Sequence, residues 1–562
     1  MSHPEALIAV DGAWATLHHA SLAHLETCLA ILDPKRFFNR AFRERRWDGK
    51  VRLFRGRTFP AGLVAHVTDF LIREGIPVRT TALEDATPLD LSRLDGQYLG
   101  PIGPTGGDLW PHQLDAIRAL LTHTRGIVKI PTGGGKTEII AAGARYLWEE
   151  RGWHSLIVVP RRGLCAQTRE RLRRYYGDTP TVGQYGDSVK EPGDIVVATA
   201  QTLAAFRQRT RRQHRRMLLV PADRTIARLV ETAHVLWLDE AHHASSNLWY
   251  DLALYSRAVR RYGLSGTPLR GEDLSDLRLI GATGPVLHDV SAPTLIDLGL
   301  AAQPKIAVVD AVAASGPALP KVWTQQFSRK TGRVERVAKP LPYKDAYPRA
   351  IVHGTAHNRA VLRAVEWLVD HHRPTLVLCR TKAHWGVLRD LLKASGIDFH
   401  ALWGATEIAV RNEAKRQLRD RQTQCVLATT IWDEGEDVPE IGAIVLAEGV
   451  KTPINVLQRI GRGMRVKRDG PNDVWVVDFV PTCHERLRAH GEARVHAYTD
   501  EGYEVVRVTR WPLADARETP PDLLPFATWA QARALAPTRP RARVKPQRIA
   551  PVKHPKTPAR AR

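Results

Sequence analysis

Hydrophobic residues gather in short, nearly continuous runs separated by longer stretches with helical spacing. From residue 108 to residue 295 the runs are GIVKI at 126–130, SLIVVP at 155–160, DIVVAT at 194–199, HVLWLDE at 234–240 and YGLSG at 262–266. Runs that are apolar at successive positions predict strands buried on both faces, hence a parallel sheet covered by helices. The rhythm restarts near residue 346, with TLVLCR at 375–380, CVLATT at 425–430, GAIVLAE at 442–448 and VWVVDF at 474–479, alongside helical stretches such as HNRAVLRAVEWLVDHH. Two successive α/β units, 108–295 and 346–485, predict a two-lobed enzyme.

The flanks read differently. Residues 1–105 form a small α+β module. Its apolar spacing predicts a helix over Ser21–Leu32 and another over Leu63–Arg73, and a turn at Asp48-Gly49 leads into a strand over Val51–Phe54. The Pro/Gly-rich stretch 100–107 reads as a linker, 296–345 as a connector or insertion, and 486–534 as a C-terminal extension. Residues 535–562 are rich in Arg, Lys and Pro without one acidic residue, which predicts a disordered basic tail.

Charge narrows the partners. The 82 Lys+Arg against 59 Asp+Glu give a net charge of +23, a field that favours polyanions: DNA, RNA or an anionic membrane surface. No apolar run approaches the ~18–20 residues that span a bilayer. Cys28, Cys165, Cys379, Cys425 and Cys483 are scattered, none at a CxxC spacing. That speaks against a disulfide framework or a cysteine zinc site and for a reducing compartment. The first residues, MSHPEALIAVDG, lack a signal-peptide pattern, so a cytoplasmic protein is expected.

The strongest chemical signal is Pro131-Thr132-Gly133-Gly134-Gly135-Lys136-Thr137, set between the run GIVKI and the helical stretch EIIAAGARYLWEE. Strand, glycine-rich loop and helix are the context of a phosphate cradle. Glycines let backbone N–H groups close on phosphate oxygens, and the helix N-terminus favours their charge. Lys136 would bridge the outer phosphates and Thr137 would bind Mg²⁺. Asp239-Glu240-Ala241-His242 follows at the end of the run HVLWL, where a strand meets the ligand edge of an α/β sheet. Asp239 would hold Mg²⁺ through water, Glu240 would orient and deprotonate the attacking water, and His242 would link this site to the nucleic-acid side.

These motifs, with others in order over residues 108–480, resemble the superfamily 2 helicases of the DEAH type. The UvsW family is the most similar, and RecG and XPB are more distant. The resemblance implies two RecA-like lobes, ATP and Mg²⁺ as cofactors, and movement along nucleic acid. LWPHQLDAI resembles the adenine-recognition element, so Gln113 would read the adenine edge. Thr132, Gly133, Gly134, Gly135, Lys136 and Thr137 would line the ATP site. VVPRRGLCAQ and VATAQTL resemble strand-gripping motifs, which implies that Arg161, Arg162, Thr199 and Gln201 touch the nucleic-acid backbone. Ser265-Gly266-Thr267-Pro268 resembles the motif that couples hydrolysis to movement, through Ser265 and Thr267; the commoner form is Ser-Ala-Thr. In the second lobe Gly435 and Asp437 match a Gly-x-Asp element. Residues 458–465 resemble the QxxGRxxR motif, with Gln458 near the γ-phosphate and Arg462 and Arg465 as arginine fingers. On a helix those two arginines share a face.

The N-terminal module adds a second resemblance. Trp47-Asp48-Gly49-Lys50-Val51-Arg52-Leu53-Phe54 resembles an element of UvsW-type helicases. Around it Lys35, Arg36, Arg40, Arg43, Arg45, Arg46, Lys50, Arg52, Arg55 and Arg57 interleave with Phe37, Phe38, Phe42, Trp47 and Phe54. Cations on phosphates with aromatics on bases would bind unpaired nucleic acid, with Arg46, Trp47 and Lys50 as candidates. The same pattern also describes a module core with solvated arginines. The basic stretch 207–216 is either a duplex grip or a solvated loop. The expected function is an ATP-dependent DNA helicase or translocase acting on branched or single-stranded DNA, with no membrane partner. An RNA helicase, a translocase subunit of a restriction-type complex and an ATP-independent binding or annealing module stay open as alternatives.

Overall fold

The computed structural model describes residues 5–82, 88–100, 108–213, 216–221, 223–269, 271, 273–309, 318–327, 333–429, 441–449, 453–467 and 471–508. Gly435, Asp437 and the expected basic tail lie outside them. Two large sheets of RecA-like type carry the chain. The first has eight strands in the order Val189–Glu191, Val182–Gly186, Ile195–Thr199, Ser155–Val159, Val235–Asp239, Arg260–Ser265, Arg125–Lys129 and Val286–Asp289. All neighbours are parallel except the first pair. The second has seven strands, all parallel, in the order Phe399–Leu402, Cys425–Ala428, Thr375–Leu378, Ala443–Leu446, Asp473–Phe479, Gln303–Val309 and Glu504–Val508.

The continuous apolar runs are the strands of these sheets, fully buried as two-sided helix cover requires. The helix Lys136–Arg151 lies close on the first sheet because Gly143 faces Trp237. A Cβ there would come within 2.5 Å of the indole. In the second lobe Asp478 accepts from Arg494 Nε at 2.8 Å and from Tyr498 at 2.7 Å. That buried network pins the helix Glu485–Asp500 to the sheet.

Four features depart from the sequence pattern. Gln303–Val309, from the expected connector, and Glu504–Val508, from the expected extension, are strands of the second sheet, so that lobe draws on chain beyond 346–485. Within the rest of the connector, Lys321–Phe327 and Val334–Pro340 pair as an exposed antiparallel hairpin. The stretch at 207–216 is likewise folded: Gln208–Gln213 pairs with Arg216–Pro221. Residues 88–100 pack on the first lobe, with Leu94 and Leu99 buried in its core and Leu94 O accepting from Arg118.

The N-terminal module is a four-stranded sheet in the order Thr58–Pro60, Trp14–His18, Ala6–Asp11 and Val78–Ala82, backed by the helices Leu22–Leu29 and Val64–Arg73. Ser21 caps the first helix through Ala23 N, at 3.2 Å. That helix ends at Leu29, short of Leu32, because Ala30–Leu32 pairs with Lys50–Arg52. The module docks on the helix Asp273–Thr283 through Gly62, where any Cβ would strike Ile280 O.

His357 and His384 are buried in the second lobe. His357 Nε2 meets Ala447 O at 2.8 Å, and His384 Nε2 meets Asn358 Oδ1 at 2.9 Å. Burial pushes them down, His357 to about 4 and His384 to about 3. The unfolded chain therefore binds protons that the folded lobe refuses. Stability from these sites is full above the ordinary histidine value, near 6.5, and falls as the pH drops toward 4 and below. Each unit of depression is worth ~1.4 kcal/mol per histidine. Urea midpoints between pH 7 and pH 4 are expected to fall, and His384→Gln should flatten that slope.

Candidate active site

The motifs of the first lobe converge at the C-terminal ends of its strands, the ligand edge of an open α/β sheet. Lys129 ends the strand before the glycine loop, Asp239 ends its own strand, and Ser265 ends the strand between them in the sheet. Gly133 and Gly135 sit at φ +90° and +88°, conformations that favour glycine. Gly135 is fixed by space as well, since a Cβ would lie 1.9 Å from Gln113 Nε2. The loop leads directly into the helix that begins at Lys136, whose N-terminal end favours an anion.

Lys136 Nζ lies 3.1 Å from Glu240 Oε1. The other Glu240 oxygen lies 3.5 Å from His242 Nδ1, which is 3.0 Å from Ser265 Oγ. Gln458, from the second lobe, donates its amide N–H to His242 Nε2 at 3.3 Å. An amide nitrogen only donates, so His242 accepts at Nε2 and carries its proton on Nδ1. One connected path runs from Lys136 through Glu240 and His242 to Ser265 and across to Gln458.

Electrostatics divides the two acids. Burial alone would raise Glu240, but the Lys136 ammonium and the His242 contact outweigh it and hold the carboxyl well below the usual range. Asp239 is pushed up, by burial first and then by the charge of Glu240. Glu240 itself adopts φ +52°, an uncommon conformation for a side chain of this kind and one that clusters at functional sites.

The helix Pro453–Gly463 brings the second lobe to the loop: a Cβ on Gly461 would lie 2.9 Å from Thr132 Cβ. Arg462 is on this helix and partly buried. Arg465 is not, because the helix closes at Gly463, whose carbonyl accepts from Lys467 Nζ at 2.7 Å. The two arginines therefore do not share a helix face. Burial and the nearby Arg171 of the first lobe push Arg465 down to about 10.

Two further expected site residues are bonded within the protein. Gln113 is 1% exposed, and both ends of its amide are used: Oε1 accepts from Trp110 N at 2.9 Å and Nε2 donates to Gly134 O at 3.3 Å. Through these bonds it braces the phosphate loop. Thr199 is 1% exposed and caps the short helix Ala200–Leu203 through Thr202 N. Arg161, Arg162 and Gln201 are exposed. Thr267 N is 3.3 Å from Ser265 Oγ, which ties the Ser-Gly-Thr turn to the His242 path. Arg46, Trp47 and Lys50 lie together in the N-terminal module, away from these motifs in sequence. Arg46 donates to Glu44, the Trp47 indole to Lys50 O at 2.9 Å, and Lys50 Nζ lies 3.5 Å from Glu26.

Three supporting residues escaped the sequence. His112 Nε2 contacts Gly134 O at 3.0 Å, beside Gln113. Arg459 forms a buried pair with Glu448 that fixes the helix carrying Gln458 and Arg462. Glu138, in the first turn after the loop, accepts from Arg171 at 3.3 Å and Tyr175 at 2.9 Å. Only the Pro-His-Gln order near Gln113 offered a signal for any of them.

Two parallel-sheet lobes with a phosphate loop on one and an arginine-bearing helix from the other define a nucleotide-driven two-lobed motor. Residues 107–270 match the family model described as type III restriction enzyme, res subunit, and residues 357–467 match the helicase conserved C-terminal domain. In these two matches the chain is similar to the superfamily 2 helicases. It is 24% identical to the ATP-dependent DNA helicase uvsW of Enterobacteria phage T4, over 84% of this chain and 92% of that one. Putative helicase 22 of Sulfolobus islandicus filamentous virus is 25% identical over 64% of this chain, and the match spans 62% of its length. The crystal structure of T4 UvsW covers 90% of this chain and 99% of its own at 20% identity, with a TM-score of 0.42. Among the described residues no helix is long and apolar enough to cross a membrane.

Proposed function

We propose that the chain is an ATP-driven DNA helicase or translocase that remodels branched DNA: forks, junctions and displacement loops. The observation that carries the motor reading is the path from Lys136 through Glu240 and His242 to Gln458, which couples the hydrolytic site of one lobe to the other. The sequence similarity to the ATP-dependent DNA helicase uvsW covers 84% of this chain, which supports DNA as the substrate.

ATP binds between the lobes with its phosphates on the glycine loop. Lys136 exchanges Glu240 for the phosphates, which frees the carboxylate to take a proton from the attacking water. A Mg²⁺ ion suits the residues present: Thr137 and Asp239 offer hard oxygens, and the buried Asp239–Glu240 pair carries more negative charge than Lys136 alone balances. Bound with ATP, it supplies charge neutralisation on the phosphates. Arg462 arrives from the second lobe and stabilises the charge that develops in transfer. Arg161, Arg162 and Gln201 grip the polymer backbone, so sequence selectivity is small. Opening and closing of the lobes around those grips becomes stepping.

The test is ATP hydrolysis at fixed salt with no polymer, single-stranded DNA, branched DNA and single-stranded RNA, alongside Glu240→Gln. Strong stimulation by branched DNA, lost in the variant, is expected. Stimulation by RNA alone would reassign the substrate, and no hydrolysis in any condition would remove the motor reading. Gln458→Ala should separate hydrolysis from work. It removes the interlobe bond to His242, and the strand displacement obtained per ATP is expected to fall ~5–150-fold, the range of typical coupling energies. Equal loss of both activities would place Gln458 in the chemistry itself.

A further inference from the structure

The aromatic residues of the N-terminal module split into two sets. Phe59 is in the module core, fully buried. Phe37 and Phe38 are 61% and 86% exposed on the short turn Arg36–Phe38. Beside them lies a concavity of about 570 Å³, lined by Phe37, Phe42 and Trp47 on its apolar side and by Arg43 and Arg45 at its rim.

The walls are ordered. Phe37 and Phe42 meet edge to face at 5.4 Å, and Phe42 meets Trp47 at 6.2 Å and 76°. The Trp47 indole is anchored on Lys50 O. The Arg36 guanidinium lies over the Phe37 ring at 4.4 Å. Gly49 leaves the room that the Arg36 and Phe42 side chains fill, since a Cβ there would come within 2.8 Å of each. Arg45 holds φ +57°, a strained conformation for a long side chain and of the kind that persists at binding sites. The one acid on the lining, Asp48, is already neutralised by Arg52, 2.7 Å away. Arg43 and Arg45 have no carboxylate partner among the described residues, unlike Arg40 and Arg46, which pair with Glu44.

Edge-to-face aromatic walls take a flat π-system, and unopposed guanidinium groups at the rim take the phosphates on either side of it. We infer that this concavity holds an unpaired nucleobase of a single strand, stacked against Phe37 and Trp47, with Arg43 and Arg45 on the flanking phosphates. The inference rests on the reading of the chain as a nucleic-acid motor but needs no ATP. It gives the N-terminal module a way to recognise unpaired bases, which a branched duplex offers at its junction and an intact duplex does not.

The experiment uses the full chain without nucleotide, at fixed salt. Affinity is measured for a fluorescein-labelled DNA strand, the same sequence in RNA, and a DNA strand of equal length whose central positions are abasic. The wild type is expected to bind the base-bearing strands more tightly than the abasic one. Phe37→Leu keeps apolar bulk but removes the π-face, and it should weaken base-bearing strands ~5–150-fold and leave the abasic strand unchanged. Phe37→Trp should restore the difference. Arg45→Gly, tolerated at this φ, should weaken all strands by a common factor. Equal affinity of the wild type for base-bearing and abasic strands, or equal loss on both in Phe37→Leu, overturns the proposal. The DNA and RNA arms identify which polymer supplies the base. Loss of the motor reading would appear instead as absent hydrolysis with this binding pattern intact.

Discussion

Glu240→Gln should lower polymer-stimulated ATP hydrolysis by ~10²–10⁴-fold, the usual contribution of a positioned general base. The amide keeps the size and the hydrogen-bonding reach of the carboxyl but cannot accept a proton near neutral pH. It also cannot pair as an ion with Lys136, which lies 3.1 Å from the carboxylate in the wild type. Lys136 is then released to the phosphates without competition, so ATP affinity should hold or rise while turnover collapses. That split distinguishes a chemical role from a structural one. Fluorescent-nucleotide titration and single-turnover hydrolysis report the two quantities separately. Parallel loss of binding and turnover would mean that the pair with Lys136 shapes the loop rather than the chemistry.

The parts of this site that were legible in sequence are those where chemistry fixes spacing. The glycines at 133 and 135 must adopt positive φ, and Lys136 must follow them, so that segment reads directly. Asp239 at the end of an apolar run was legible for the same reason: a strand end at the ligand edge is a position, not only a residue type. The second lobe's strands were visible wherever they were continuous apolar runs. Gln303–Val309 and Glu504–Val508 were missed because they lie outside the repeating rhythm and are recruited by pairing with each other and with Asp473–Phe479. Pairing of that range is a tertiary fact that no local pattern encodes.

Side-chain roles were harder to read than positions. Gln113 and Thr199 lie beside the motifs that carry them, with their side chains bonded inside the protein. One is spent on Trp110 and Gly134, the other on capping a single helical turn. Both show a buried polar group satisfied by nearby backbone, a partner that local sequence does not name. Arg465 differs from Arg462 in position. Its spacing from Arg462 predicts a shared face only while the helix continues, and Lys467 ends that helix at Gly463.

That break separates the two arginines experimentally. Arg462→Ala should cost ~10³–10⁵-fold in stimulated hydrolysis, the range for an arginine that stabilises transferring phosphate from a second domain. Its helix meets Thr132 of the phosphate loop at Gly461, which places Arg462 next to the residue facing that loop. Arg462→Lys should recover little, because a point charge lacks the planar fork that reaches two oxygens at once. Arg465→Ala is expected to cost less. That side chain lies past the helix end, where burial first and the nearby Arg171 charge second push it down, so its guanidinium is held at a cost that Arg465→Ala removes. Single-turnover rates at saturating ATP, with thermal melting to confirm folding, decide the order. If Arg465→Ala proves the more damaging of the two, the finger is Arg465, and the turn after Gly463 would have to swing into the cleft when ATP binds.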